Sequence, residues 1–250
     1  MPSIHASVLI PVKNGGHLLG AVLDAVLAQK TSWPFEVLVM DSGSTDGSVE
    51  LVRSRGVRCE TIPPEQFGHG RTRNQLAEMA QGHFLVFITQ DAKPANLDWL
   101  QQLVSGCDVS PDVAGAFGPH LAYPTARPVT QRELATHFNG FGATLTVVRL
   151  DDAARFEADP GYRQYLHFFS SNNACIRKST WAAIPLPDVV FAEDQTWALQ
   201  AIKAGYAEPA ADVTACRLLD DARIKALVEE QLEHIQRRSE ITGERVLSEL

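Results

Sequence analysis

FGHGRTRNQLAEMAQGHFLVFITQDAKP, residues 67–94, decides how this chain folds. Within it, Phe84-Leu-Val-Phe-Ile88 is continuously apolar and stops abruptly at the polar Thr89-Gln-Asp-Ala92. A short apolar run with polar ends reads as a buried strand. Leu76, Met79 and Ala80 recur at helical spacing just before it, so a helix feeds the strand. The lone carboxylate of Asp91 therefore sits where a buried strand stops, with Arg71, Arg73 and Asn74 one short helix earlier.

The same alternation extends in both directions. Ser7–Val12 reads as a strand, and Leu18, Leu19, Val22, Leu23, Val26 and Leu27 mark a helix after it. Phe35–Met40 is a second strand ending on Asp41, and the turn Ser42-Gly-Ser-Thr-Asp-Gly47 flows into a helix carrying Val49 and Val52. A third strand is expected around Val57–Ile62, and Leu97, Leu100, Leu103 and Val104 predict a helix after Ile88. This order predicts an α/β fold with a mainly parallel sheet and helices on both faces. Ligands of such sheets bind beyond the carboxyl ends of the strands, so Asp41 and Asp91 should face one crevice. Beyond Pro119–Thr130, which is loop-rich, the pattern is less regular. Gln131–Phe141 reads as helical, Ser179 or Thr180 as the cap of a short helix, and Phe191-Ala-Glu-Asp-Gln-Thr-Trp197 as a helix start. Ile224, Val228, Leu232 and Ile235 form one face of a long final helix whose charged face, with Arg237 and Arg238, reads as solvated.

Composition excludes several function classes. With 45% hydrophobic and 21% charged residues in 250, the chain can bury a large core. A net charge of −8 argues against nucleic acid as a partner and gives no general attraction to anionic lipid. At most peripheral membrane contact is expected, because no apolar run approaches the roughly 20 residues of a membrane span. Met1-Pro-Ser-Ile-His-Ala lacks the pattern of a signal peptide, and Cys59, Cys107, Cys175 and Cys216 form no C-x-x-C pair. These features set the expectation of a cytoplasmic protein with reduced thiols.

A dinucleotide site would require G-x-G-x-x-G after the first strand. Pro11-Val-Lys-Asn-Gly-Gly16 stands there instead, and no G-x-x-x-x-G-K-S/T loop occurs. A dehydrogenase is therefore disfavoured. Asp41, ending the second strand, can meet a nucleoside or simply hold the turn before Gly43.

Five short motifs, in order, carry a resemblance. Ile10-Pro-Val-Lys-Asn14, Asp41-Ser-Gly-Ser-Thr-Asp-Gly47, His69-Gly-Arg-Thr-Arg-Asn74, Thr89-Gln-Asp-Ala92 and Ala192-Glu-Asp-Gln195 together resemble family 2 glycosyltransferases of the GT-A fold. Phe67–Asn74 with Thr89–Ala92 and Asn173-Ala-Cys-Ile-Arg177 is most similar to rhamnosyltransferases of bacterial surface-polysaccharide synthesis. The resemblance covers roughly residues 5–215. It implies a GT-A domain over 1–217 and a helical extension over 218–250.

The resemblance implies an inverting enzyme that uses a nucleoside-diphosphate sugar, with dTDP-rhamnose favoured, and a saccharide or lipid-linked acceptor. Pro11, Asp41, Arg73 and Asn74 match positions at the nucleotide; His69 either helps there or is a glycine-flanked surface histidine. Asp91 matches the D-x-D-type position that holds a divalent cation, Mg²⁺ or Mn²⁺, although Gln90 leaves a single carboxylate there. Asp194 matches the catalytic base and Glu193 its supporting carboxylate, although acidic residues also suit a helix N-terminus without any catalytic role. Trp197 lines the acceptor site or belongs to the core. Relatives carry a Val-x-His-Ser-His stretch that supplies a metal histidine, and Val213-Thr-Ala-Cys-Arg217 has none. Arg217, with Lys93 or Arg71, is then a candidate for the diphosphate, since arginine's planar fork suits phosphate oxygens; the alternatives are a surface Arg217 beginning the linker to the final helix and a solvated Arg71 at a helix start. The alternative is a protein of the same fold that binds a nucleotide sugar or a partner without transfer.

Overall fold

In the computed structural model, which describes residues 3–141 and 144–207, β1 (Ala6–Val12) leads through α1 (Gly16–Leu27) into β2 (Phe35–Asp41). α2 (Ser48–Ser54) then leads to β3 (Arg58–Thr61), and α3 (His69–Met79) feeds β4 (Phe84–Ile88). α4 (Trp99–Cys107) precedes the short β5 (Gly115–Phe117). After α5 (Pro128–Asn139), α6 (Ala153–Ala158) and α7 (Pro160–His167) comes β6 (Asn173–Arg177). It runs directly into α8 (Lys178–Ala183), and α9 (Glu193–Ala207) follows.

The six strands form one sheet in the order β3-β2-β1-β4-β6-β5. β1 pairs in parallel with β2 and β4, and β2 with β3. β6 is antiparallel to both β4 and β5, so β5 points the same way as β1–β4. Pleating sends alternate residues to opposite faces. Val8, Ile10, Val12, Val39, Val86 and Ile88 pack with Leu19, Leu23, Val26, Val52, Leu100 and Val104, which belong to α1, α2 and α4. Leu9, Leu38, Met40, Leu85 and Phe87 pack on the other face with Leu76 of α3, Trp181 of α8 and Trp197 of α9. Burial of each such side chain contributes about 1.5–3 kcal/mol, so both helical layers are held firmly. The second layer places α3 beside α9.

The chain divides into two compact units, one of Met1–Gly118 with Phe169–Lys203 and one that includes Pro119–Phe168. Within the second, Asp152 accepts from Arg155 N to cap α6, and Asp159 accepts from Gly161 N and Tyr162 N to cap α7. Phe141 stacks on Tyr165 and lies against Phe138 and Phe168. No helix among the described residues is long and apolar enough to cross a membrane.

Several expectations need correction. The helix expected from Gln131 begins at Pro128, whose fixed φ suits a first turn. The cap of α8 is Arg177, with no side-chain cap bond, and Ser179 and Thr180 lie inside the helix. Leu97 is 45% exposed and precedes α4. Cys107 and Cys175 are buried free thiols, and Cys59 is half-buried. The 217/218 boundary, Val213–Arg217, Cys216 and the final helix lie outside the described residues.

Candidate active site

The carboxyl edge of the sheet is built by loops that hold one another. Asp41, 1% exposed, ends β2; its Oδ1 accepts from Gly43 N at 2.9 Å and Ser44 N at 2.8 Å, and its Oδ2 accepts from the Ser44 hydroxyl. Gly43 has φ +85°, a left-handed conformation that glycine adopts without strain. Asn14 Oδ1 accepts from Thr45 N at 2.9 Å, and Asp46 Oδ2 accepts from Gly16 N at 2.9 Å. The Ser48 hydroxyl, donating to Asp46, holds that carboxyl below its ordinary range. The loops after β1 and β2 are therefore zipped together. Pro11, half-buried, pairs with Met40 past the last β1–β4 pair, Leu9–Phe87, where its missing N–H interrupts no bond to β4.

Gln90 extends this frame to β4. Its Oε1 accepts from Lys13 N at 2.7 Å, and its Nε2 donates to Lys13 O at 3.1 Å. Lys13 Nζ in turn donates to Ser42 O at 2.8 Å and Gly43 O at 2.7 Å. An amide can make this two-way bond and a carboxylate cannot, because a carboxylate only accepts. Gln90 thus joins three strand ends. Asp91 and Lys93 follow in the turn, both exposed. Among the described residues, no group of three or more His, Cys, Asp or Glu side chains is placed to hold a metal ion.

The antiparallel β6 delivers the second group of residues to the same edge. Asn173, its first residue, pairs with Ile88, the last of β4. Ser171, just before it, donates from its N to Asp194 Oδ2 at 2.9 Å. The Ser171 hydroxyl lies 3.2 Å from both Asp194 Oδ2 and Glu193 Oε1. Asp194 and Glu193, in the first turn of α9, are therefore set beside the β4 end that carries Asp91. Arg73 of α3 pairs with Glu193 at 3.0 Å, the two side chains being 5% and 7% exposed, and donates from Nη1 to His69 O at 3.0 Å. Burial draws the Arg73 guanidinium below its ordinary range, and the charges of Glu193 and Asp194 oppose that shift.

The rest of the His69–Asn74 motif serves the segment leading to α9. Asn74 Nδ2 donates to Leu186 O at 2.8 Å, and its Oδ1 accepts from Leu186 N at 3.1 Å and Trp181 Nε1 at 2.8 Å. Arg71 pairs with Asp188 at 2.6 Å. The two ion pairs differ in weight. The exposed Arg71–Asp188 pair contributes about 0–1 kcal/mol, whereas removing one partner of a buried pair such as Arg73–Glu193 costs about 3–5 kcal/mol. Trp197 is 2% exposed and donates to Ile184 O at 2.8 Å, so it belongs to the core. His69 is exposed with its ring against Phe67.

A family model described as glycosyl transferase family 2 matches residues 7–170. The chain belongs to this family. The O-antigen chain rhamnosyltransferase RfbN of Salmonella typhimurium is 31% identical to this family 2 chain over 205 residues, which is 80% of the chain and 62% of the relative. This chain thus spans about three fifths of that relative's length. TarS of S. aureus superposes with a TM-score of 0.59 at 21% identity, over 80% of this chain and 55% of that one. The mannosyltransferase PcManGT of Pyrobaculum calidifontis, in complex with GDP-Man and Mn²⁺, superposes with a TM-score of 0.55 at 20% identity, over 80% and 54% of the two chains. These likenesses establish the GT-A fold. A second model, terminase small subunit, matches residues 194–250, most of which lie outside the described residues.

Against the sequence expectations for a family 2 enzyme, Asp41, Pro11, Asp91 and Lys93 lie at or just past the strand ends. Glu193 and Asp194 join them at that edge through Ser171. The side-chain bonds of Arg73 and Asn74 go to Glu193, His69, Leu186 and Trp181. Arg217 lies outside the described residues. Sequence reasoning missed Ser171 and the clamps made by Gln90 and Asn74. Nothing local marks them, because their partners are 22 to 112 residues away.

Proposed function

We propose that this chain is an inverting glycosyltransferase that moves rhamnose from dTDP-rhamnose to a saccharide or lipid-linked acceptor in cell-surface polysaccharide synthesis. What carries the proposal is the Glu193–Asp194 pair, held at a helix start beside the strand end that bears Asp91. Pro11 and the loop built by Asp41 receive the nucleoside, and the diphosphate lies toward Asp91 and Lys93. Asp194 takes the proton of the acceptor hydroxyl as its oxygen bonds to the anomeric carbon. The bond from that carbon to the diphosphate breaks on the opposite face, and its electron pair leaves on the diphosphate. The 31% identity to an O-antigen rhamnosyltransferase supports the choice of sugar.

A divalent cation fits the donor set only together with the nucleotide. Gln90 is committed to Lys13, which leaves Asp91 as the carboxylate of that loop. Mg²⁺ characteristically binds through one or two carboxylates plus substrate phosphates and retains water. Asp91 would hold such a cation against the diphosphate, and the cation would stabilise departing charge as a Lewis acid. The same arrangement favours a second reading, a binder that has lost transfer, because Val213–Arg217 carries no histidine.

A thermal-shift panel tests the donor. A ligand that binds only the native state at 100 times its Kd adds about 2.7 kcal/mol. dTDP-rhamnose should raise the melting temperature more than UDP-glucose does. Mn²⁺ should enlarge the shift given by the nucleotide sugar, and Asp91→Asn should remove that increment. Equal shifts for the two donors would exclude the rhamnose assignment. Acceptor-dependent release of nucleoside diphosphate separates a transferase from a binder.

A further inference from the structure

The bonds around Asp194 distinguish its two oxygens. Oδ2 accepts from Ser171 N at 2.9 Å and faces the Ser171 hydroxyl at 3.2 Å. Oδ1 accepts from Gln195 N at 2.8 Å. A carboxylate oxygen offers about two lone-pair sites, so both Oδ2 sites are taken whenever the Ser171 hydroxyl turns to Asp194, and among the described residues Oδ1 retains one site. Glu193 is fixed from the other side by Arg73 at 3.0 Å. Ser171, Arg73 and Glu193 are 2%, 4% and 6% exposed, so water does not compete freely for these bonds.

From this geometry we propose that Ser171 and Arg73 are positioning residues that hold the Glu193–Asp194 pair so that Asp194 meets the acceptor hydroxyl with Oδ1. The proposal rests on Asp194 being the base. A carboxylate's terminal torsion is broad and roughly two-fold, so an Asp194 without lateral bonds would turn between orientations. Ser171 prevents this by gripping Oδ2 with its backbone N–H, and with its hydroxyl as well when that proton turns to Asp194. The hydroxyl has a single proton and faces two carboxylates, so it bonds one at a time. Arg73 supplies the positive charge that lets two adjacent acidic side chains share this pocket, and it reaches Glu193 from α3 across the same face of the sheet.

Steady-state kinetics with calorimetry on Ser171→Ala, Ser171→Thr, Arg73→Lys and Asp194→Asn test the proposal. Misplacing a catalytic group by about 1 Å costs about 10²-fold in rate. Ser171→Ala retains the backbone N–H, so its kcat should fall by up to that factor, with acceptor KM and donor Kd unchanged. Ser171→Thr, which keeps a hydroxyl, should recover most of the loss. A threonine variant as slow as the alanine variant would assign the loss to packing and overturn the proposal. Arg73→Lys should lower kcat at unchanged donor Kd, whereas a weakened donor Kd at unchanged kcat would place Arg73 at the nucleotide instead. If Asp194→Asn retains wild-type turnover, the assignment of the base fails. If Asp194→Asn is inactive while Ser171→Ala turns over normally, the positioning role alone fails.

Discussion

Asp194→Asn is expected to lower sugar transfer by about 10²–10⁴-fold, the usual contribution of a positioned general base, while donor affinity stays unchanged. The two effects separate in the proposed reading, where Asp194 acts on the acceptor's proton and the nucleoside and diphosphate meet the loops after β1, β2 and β4. The substitution keeps the size of the side chain and changes its chemistry. An amide oxygen in the Oδ2 position can still accept from Ser171, but the amide nitrogen then faces Gln195 N, a donor opposite a donor. Asp194 is half-buried and begins a helix, so this mismatch should lower stability only modestly and leave the fold intact. Initial rates of acceptor-dependent diphosphate release, with calorimetry of dTDP-rhamnose binding, measure both quantities. Near-wild-type turnover in Asp194→Asn would remove Asp194 from the chemistry.

The parts of this fold that were legible in the sequence are those set by local periodicity. β4 falls on Phe84–Ile88 as its continuous apolar run predicts, and α1 covers the i, i+3, i+4 series from Leu19 to Val26. Asp41 before Gly43 was legible as a turn residue because its side chain bonds backbone two and three residues on. The direction of β6 was not legible. Asn173–Arg177 has the composition of a strand, but nothing local says whether it pairs antiparallel to β4. That direction brings Ser171 to the carboxyl edge and so assembles the carboxylate site. The His69–Asn74 motif shows a related limit. The resemblance matched Arg73 and Asn74 to a nucleotide pocket; in the structure their side chains bond and hold Glu193 and the segment leading to it. Arginine and asparagine suit both tasks, and the bonds to distant segments appear only in the fold. The short helices α6 and α7 were missed because each is too brief to show a period, although Asp152 and Asp159 mark their starts.

Gly70→Ala should disrupt that hold at its tightest point, although alanine is the better helix former. Gly70 is the second residue of α3, and removing a glycine from a helix gains about 0.8–1.0 kcal/mol at an interior position and less near an end. Against this, a Cβ at Gly70 would lie 2.0 Å from Pro187 O and 2.8 Å from Pro187 C. Both are backbone atoms, so no rotamer change relieves the overlap. The segment is also pinned, with Leu186 bonded to Asn74 through both its N and its O, and Pro187 O accepting from Val189 N at 3.0 Å. Inserting a methyl into such a contact typically costs about 1–3 kcal/mol, and each Asn74 bond lost as the segment withdraws costs about 1 kcal/mol more. The overlap therefore outweighs the gain in propensity, and the variant should be destabilised by about 1–3 kcal/mol in urea unfolding. Residues 186–188 lead within a few positions to Glu193 and Asp194, so their displacement should carry the carboxylate pair with it. Turnover should then fall by up to about 10²-fold under conditions where the variant remains folded. In the proposed reading donor affinity should persist, because the loops assigned to the nucleotide are tied to one another through Lys13, Asn14, Asp46 and Gln90. A Gly70→Ala variant as stable and as active as the wild type would show that α3 does not clamp the segment preceding Glu193 and Asp194.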